Sequence, residues 1–141
     1  MEVETLILDL TETPSGGNTT VARAIMGRFI EEEQPYQKHE FDENGFDTKR
    51  VWVEYASPRG TPFTKELIVK VGRWTGSMGE GMAIGFDGMK RATIIGSKMA
   101  GLLGSVENFQ LPESGIGFQI PTERLYHING TPREDFIPAK K

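Results

Sequence analysis

The stretch WTGSMGEGMAIGF, residues 74–86, follows the apolar run ELIVKVGRW, residues 66–74. The run has the length and β-branched content of a buried strand. After it come a glycine turn, a serine and a segment of helical pattern over residues 77–90. Gly79, Gly81, Gly85 and Gly88 in that segment cost helical stability, which implies close backbone packing against a neighbour. Strand, glycine turn and helix form half of an α/β unit. Ser77 stands at the helix start and reads in two compatible ways. Its hydroxyl projects from the carboxyl end of a strand, where α/β sheets place their ligands, and the Met78 N–H beside it is an unpaired helix-start donor. Equally, Ser77 to Glu80 fits a capping box, and local pattern alone favours the cap.

A similar unit opens the chain. The apolar run over residues 4–10 leads into TETPSGGNTT, and residues 19–33 carry a helical stripe of Val21, Ile25 and Phe29, with Asn18 or Thr19 as the cap. Pro14-Ser15-Gly16-Gly17-Asn18 is by itself an ordinary strand-to-helix turn. Paired with the Ser77 turn at the same sheet edge, it would set two groups of N–H donors around one cleft. Residues 35–60 are polar, with an exposed strand or hairpin around Val51, Val53 and Tyr55. Residues 92–96 read as a third short strand. Residues 105–111, 116–121 and 124–128 read as antiparallel β-structure, and residues 137–141 as a frayed tail. The expected fold is a single α/β domain over 1–141 with a β-rich C-terminal part.

Composition narrows the function. The 141 residues carry a formal charge of −4, with 37% apolar and 26% charged residues, which suits one globular core. A pI near 5.3 with scattered lysines argues against nucleic acid as a partner. No apolar run has the length of a membrane span, and the N-terminus lacks a signal-peptide pattern. Zero cysteines exclude disulfides, thiolate metal sites and cysteine nucleophiles. Two histidines without ligand spacing speak against zinc, and no cofactor motif is present.

In order, LILDLTETPSGGNT, ELIVKVGRWTGSMGE, RATIIGSKMAG and RLYHINGTPREDFIP resemble the carboxyl-terminal processing (tail-specific) serine peptidase family. The likeness covers nearly the whole chain and is weakest over residues 35–65. It implies a ClpP/crotonase-like α/β spiral, of which this chain is the C-terminal portion, without a peptide-binding PDZ module. Ser77 matches the family's nucleophile and Glu80 its glutamate three positions on. Met78 and the Gly16–Gly17 turn match its oxyanion hole, although TETPSGG is looser than the family's turn. Many members carry a lysine base after the glycine that matches Gly101. Here that position is Leu102, and Lys98 does not align. The tricorn-core branch instead takes a histidine from an upstream segment and a glutamate that Glu134 matches.

The expectation is therefore a serine-type endopeptidase core acting on polypeptides through an acyl-enzyme on Ser77. Its histidine comes from sequence before residue 1, so the isolated chain has little activity. His39 and His127 are expected to be exposed bystanders. One rival is a non-catalytic binding module with an apolar groove of Met82, Phe86, Met99, Leu102 and Leu103. Another is a crotonase-like acyl-thioester enzyme, which needs the oxyanion donors but no serine. The family's habits imply export to the periplasm or beyond. An uncovered sheet edge would favour a homo-oligomer.

Overall fold

The computed structural model describes residues 3–15, 17–43 and 46–139. Among the described residues there are two sheets and two α-helices. Strands β1 (Thr5–Asp9), β4 (Glu66–Val71) and β5 (Thr93–Gly96) form a parallel sheet in the order β1-β4-β5. Strands β2 (Gln34–Glu43), β3 (Thr48–Ala56), β6 (Gly104–Gln110) and β7 (Gly117–Tyr126) form an antiparallel sheet in the order β3-β2-β7-β6. Helices α1 (Thr19–Met26) and α2 (Met78–Gly88) complete the core, and a 3-10 turn spans Arg133–Asp135. The expected α/β class with a β-rich C-terminal part is observed.

Burial explains the order of the parallel sheet. Leu67, Val69 and Val71 of the central strand β4 are buried, whereas β1 at the edge leaves Ile7 exposed. All residues of α2 from Met78 to Phe86 are buried, so the helix is enclosed around its whole circumference, with Glu80 its one buried charge. Its glycines permit that position. A Cβ at Gly85 would stand 3.1 Å from the Met26 sulfur and from the Tyr36 ring, which is tighter than ordinary contact. Close packing, expected from the glycine content, is the observed reason for it.

Several boundaries differ from expectation. Helix α1 is capped by Asn18, whose Oδ1 accepts from Val21 N at 3.2 Å, but it stops at Met26 rather than continuing to residue 33. Gly27 follows, and the chain leaves the helix while Phe29 stays buried, edge-on to Phe63 and Phe86. The apolar stripe thus continues past the helix because the core, not helical period, holds Phe29. The polar stretch from residue 34 is a long hairpin, β2–β3, the longer form of the exposed strand or hairpin expected around Val51, Val53 and Tyr55. The two expected strands at 116–121 and 124–128 are the single strand β7. Pro121 is tolerated inside it because β7 pairs with β2 only from Glu123 to Tyr126, leaving the other side of Pro121 unpaired.

Gly96 ends β5 with φ +122°, and a Cβ there would collide with the Val71 carbonyl. Gly96→Ala is expected to destabilise the fold by about 2–3 kcal/mol. Urea unfolding of the two proteins checks this; equal midpoints would show that the β4–β5 junction yields freely.

Candidate active site

Thr75 prepares the turn that carries Ser77. Its buried hydroxyl donates to Leu10 O at 2.8 Å and accepts from Gly72 N at 2.9 Å. Gly76 N donates to Thr13 O at 2.8 Å, which ties this turn to the loop after β1. The two glycine turns therefore meet at the carboxyl ends of adjacent parallel strands. A Cβ at Gly76 would stand 2.5 Å from Pro14 O, so the two loops approach more closely than any side chain allows.

Ser77 itself has φ +55° and ψ −120°. A non-glycine residue pays for that backbone, of order 1–3 kcal/mol, and such strain collects at functional sites. The capping box expected here is present, with the Ser77 side chain set against the Glu80 backbone N–H and the Glu80 carboxylate reaching back to Ser77. In that return half, Ser77 N donates to Glu80 Oε2 at 2.9 Å. The Glu80 carboxylate makes the firmer arm of this cap, and Ser77 lines a cleft of about 650 Å³.

Ser77, Met78 and Gly17 all line that cleft. Met78 N begins α2 and has no intrahelical acceptor. Gly17 has φ +62°, and a Cβ there would meet nothing within 4 Å, so its backbone borders open space. Gly16, the other expected donor, lies outside the described residues. The remaining walls are mostly apolar or neutral: Pro14, Leu102, Leu103, Val106, Pro121 and Leu125, with Gln37 and Gln119.

Glu80 is fully buried. Its carboxylate accepts from Ser77 N, from Gly101 N at 2.8 Å and from Leu102 N at 3.3 Å, with the Arg133 guanidinium 3.8 Å away. Burial raises this carboxyl above its ordinary value, and Arg133 and the backbone donors offset only part of the rise. Every partner is a donor, which matches the ionised form. Glu80 is thus a support beneath the Ser77 turn and does not line the cleft. Glu134 sits in the 3-10 turn, where its Oε1 accepts from Arg124 Nη2 at 2.6 Å. Its Oε2 is buried and has no partner among the described residues.

Both histidines are buried, contrary to expectation. His39 Nε2 lies 3.0 Å from Glu54 Oε2, and His39 Nδ1 contacts Glu123, while the ring stacks on Trp52. His127 Nε2 lies 3.0 Å from Asp87 Oδ2, and its Nδ1 accepts from Asn129 N. Neither lines the cleft. The polar run KHEFDEN looked solvated, yet His39 within it faces Glu54 from β3 and Glu123 from β7. The apolar groove expected of a binding module also divides: Met82, Phe86 and Met99 belong to the core, and only Leu102 and Leu103 line the cleft. Arg133, Gln37 and the β6–β7 wall carried no sequence signal, because each reaches the cleft only through long-range pairing.

Burial opposes protonation of His39, but hydrogen bonds and charge from Glu54 and Glu123 outweigh it and raise the pKa. Glu54 is held down at about 2 although burial pushes the other way, because His39, Tyr36 and Gln37 donate to it. The raised His39 contributes stability fully below its ordinary 6.5 and loses it as pH climbs through the folded value. The depressed Glu54 contributes above its ordinary 4.5 and loses it as pH falls toward 2. This network is expected to contribute most between those two ordinary values. Urea midpoints across pH should fall on the alkaline side, and His39→Gln should flatten that fall. An unchanged alkaline slope in the variant would remove His39 as its cause.

Peptidase family S41 matches residues 1–137. The chain belongs to this family. A Parabacteroides merdae protein shares the fold at TM-score 0.81 and 20% identity, over 97% of this chain and 44% of that one. Mature CPAF matches at TM-score 0.82 and 17% identity, over 97% of this chain and 38% of that one. The photosystem II D1 C-terminal processing protease matches at TM-score 0.69 and 22% identity, over 99% of this chain and 35% of that one. Identities this low speak for the shared fold alone, and the chain spans less than half the length of each. No curated protein matches the chain. Among the described residues, no helix is long and apolar enough to cross a membrane.

Proposed function

We propose that this S41 chain is the nucleophile-bearing C-terminal portion of a serine endopeptidase, in the histidine-using branch of the family. The observation that carries this reading is the Ser77 backbone, strained at φ +55°, with Ser77 lining the cleft beside Met78 and Gly17. Ser77 Oγ attacks the scissile carbonyl carbon and its proton passes to an imidazole. The oxyanion is held by Met78 N–H and by the backbone of Gly16 or Gly17. Collapse breaks the C–N bond, with the imidazole returning the proton to the leaving amine, and water then hydrolyses the Ser77 ester.

Leu102 at the family's lysine position, with no histidine lining the cleft, supports a base supplied by polypeptide outside these 141 residues. The unpartnered, buried Glu134 Oε2 supports a role in orienting that imidazole, since it is an acceptor awaiting an N–H. On this reading the substrate is a polypeptide and the isolated chain is nearly inert.

A fluorophosphonate serine probe tests it, applied to this chain and to a longer one with the upstream segment. Labelling that requires both Ser77 and the upstream segment is the expected result. Labelling of the short chain at the same rate would point to an internal base. A folded longer chain that does not react would sink the nucleophile assignment and favour a binding module using Leu102 and Leu103.

A further inference from the structure

The 3-10 turn that bears Glu134 is joined to the Ser77 turn by one buried ion pair. Arg133 is almost wholly inaccessible, although it is an arginine beside an exposed segment. Its Nε and Nη2 both donate to Leu102 O, at 3.1 and 2.7 Å. The N–H of the same residue, Leu102, donates to Glu80, as does that of Gly101. Leu102 is therefore held by its carbonyl to Arg133 and by its N–H to Glu80. The two side chains face each other 3.8 Å apart beneath it. The third arm of Glu80 holds Ser77 N. Leu102 in turn borders the nucleophile turn: a Cβ on Gly76 would stand 3.3 Å from Leu102 Cδ1.

We propose that Arg133 is a positioning residue that sets the Ser77 turn, the Leu102 wall and the Glu134 turn in register through Glu80. This rests on the Ser77 reading above. Arginine suits the task because its planar fork meets a carbonyl with two N–H groups and keeps its charge when buried. A lysine would keep the charge but could not present that fork. The charged and titratable groups around the pair are Glu80 from α2 and Glu134 from the same turn, the two carboxylates that act on Arg133.

Two readouts test the role, one of them independent of activity. In the 141-residue chain, amide exchange at Ser77, Gly101 and Leu102 is measured by NMR for the wild type, Arg133→Lys and Arg133→Met. Exchange at the three amides is expected to quicken at least tenfold in Arg133→Met, more than at the central strand β4. In the longer protein, the fluorophosphonate labelling rate is followed against pH. Arg133→Lys is expected to slow labelling about tenfold with the acid limb unmoved. Arg133→Met should slow it further and shift the acid limb upward, because Glu80, already raised by burial, has lost the cation that limits the rise. Wild-type exchange and a wild-type pH–rate profile in either folded variant would overturn the proposal. Should Arg133→Met fail to fold, a full labelling rate in Arg133→Lys overturns it by itself. If the wild type does not label, the Ser77 reading has failed; accelerated exchange would still place Arg133 as the support of this turn.

Discussion

Ser77→Ala, in a protein that includes the upstream segment, is expected to lose peptide hydrolysis by about 10⁶-fold, the usual cost of removing a serine nucleophile. The variant should keep its fold, because Glu80 holds the turn through the backbone N–H of residue 77. A second substitution separates chemistry from structure. Ser77→Gly should be equally inactive but more stable than Ser77→Ala by about 1 kcal/mol, since glycine adopts φ +55° and ψ −120° without a Cβ penalty. Hydrolysis of a fluorogenic peptide and urea unfolding give the two numbers. Residual activity in Ser77→Ala within tenfold of wild type would mean that the reaction needs only backbone donors, as in a crotonase-like mechanism. Equal stability of the alanine and glycine variants would mean that the turn carries no strain.

Glu80→Ala is expected to destabilise the protein by about 3–5 kcal/mol, because it leaves the buried Arg133 without its partner. Three backbone N–H groups lose their acceptor at the same time: those of Ser77, Gly101 and Leu102. For a chain of this size the loss corresponds to a fall in Tm of roughly 10–17 °C. The double variant Glu80→Ala with Arg133→Met should be less damaged than the sum of the single changes, since the uncompensated charge is gone. Calorimetry on the four proteins closes the cycle. Additive losses would show that the two side chains do not act as a pair.

Legibility in the sequence followed the range of the interactions. The strands β1 and β4, the glycine turns after them, the Asn18 cap and the start of α2 are local patterns, and they stand close to where the residues suggest. Ser77, Met78 and Gly17 were legible because strand, glycine and helix start lie within a few residues of each other, and the motif order extended the reading to a family. The hairpin β2–β3 was harder to see. Gln37 and His39 occupy inward positions where apolar residues would have marked a strand, and their burial depends on Glu54 and Glu123 from other strands. The same holds for the merged strand β7, whose Pro121 looks like a break until its pairing partners are known.

By itself the sequence determined the α/β class, the family and the two backbone turns that meet at the cleft, because each depends on residues adjacent in the chain. Only the tertiary structure decided that Glu80, which reaches back to Ser77 N as the capping pattern suggests, also holds Gly101 and Leu102 and faces Arg133. The same is true of the burial of His39 and His127 in carboxylate contacts, and of Arg133 joining segments more than thirty residues apart in sequence. Such partners arrive from distant strands and loops, and no periodicity or spacing along the chain records which charge a buried side chain will meet.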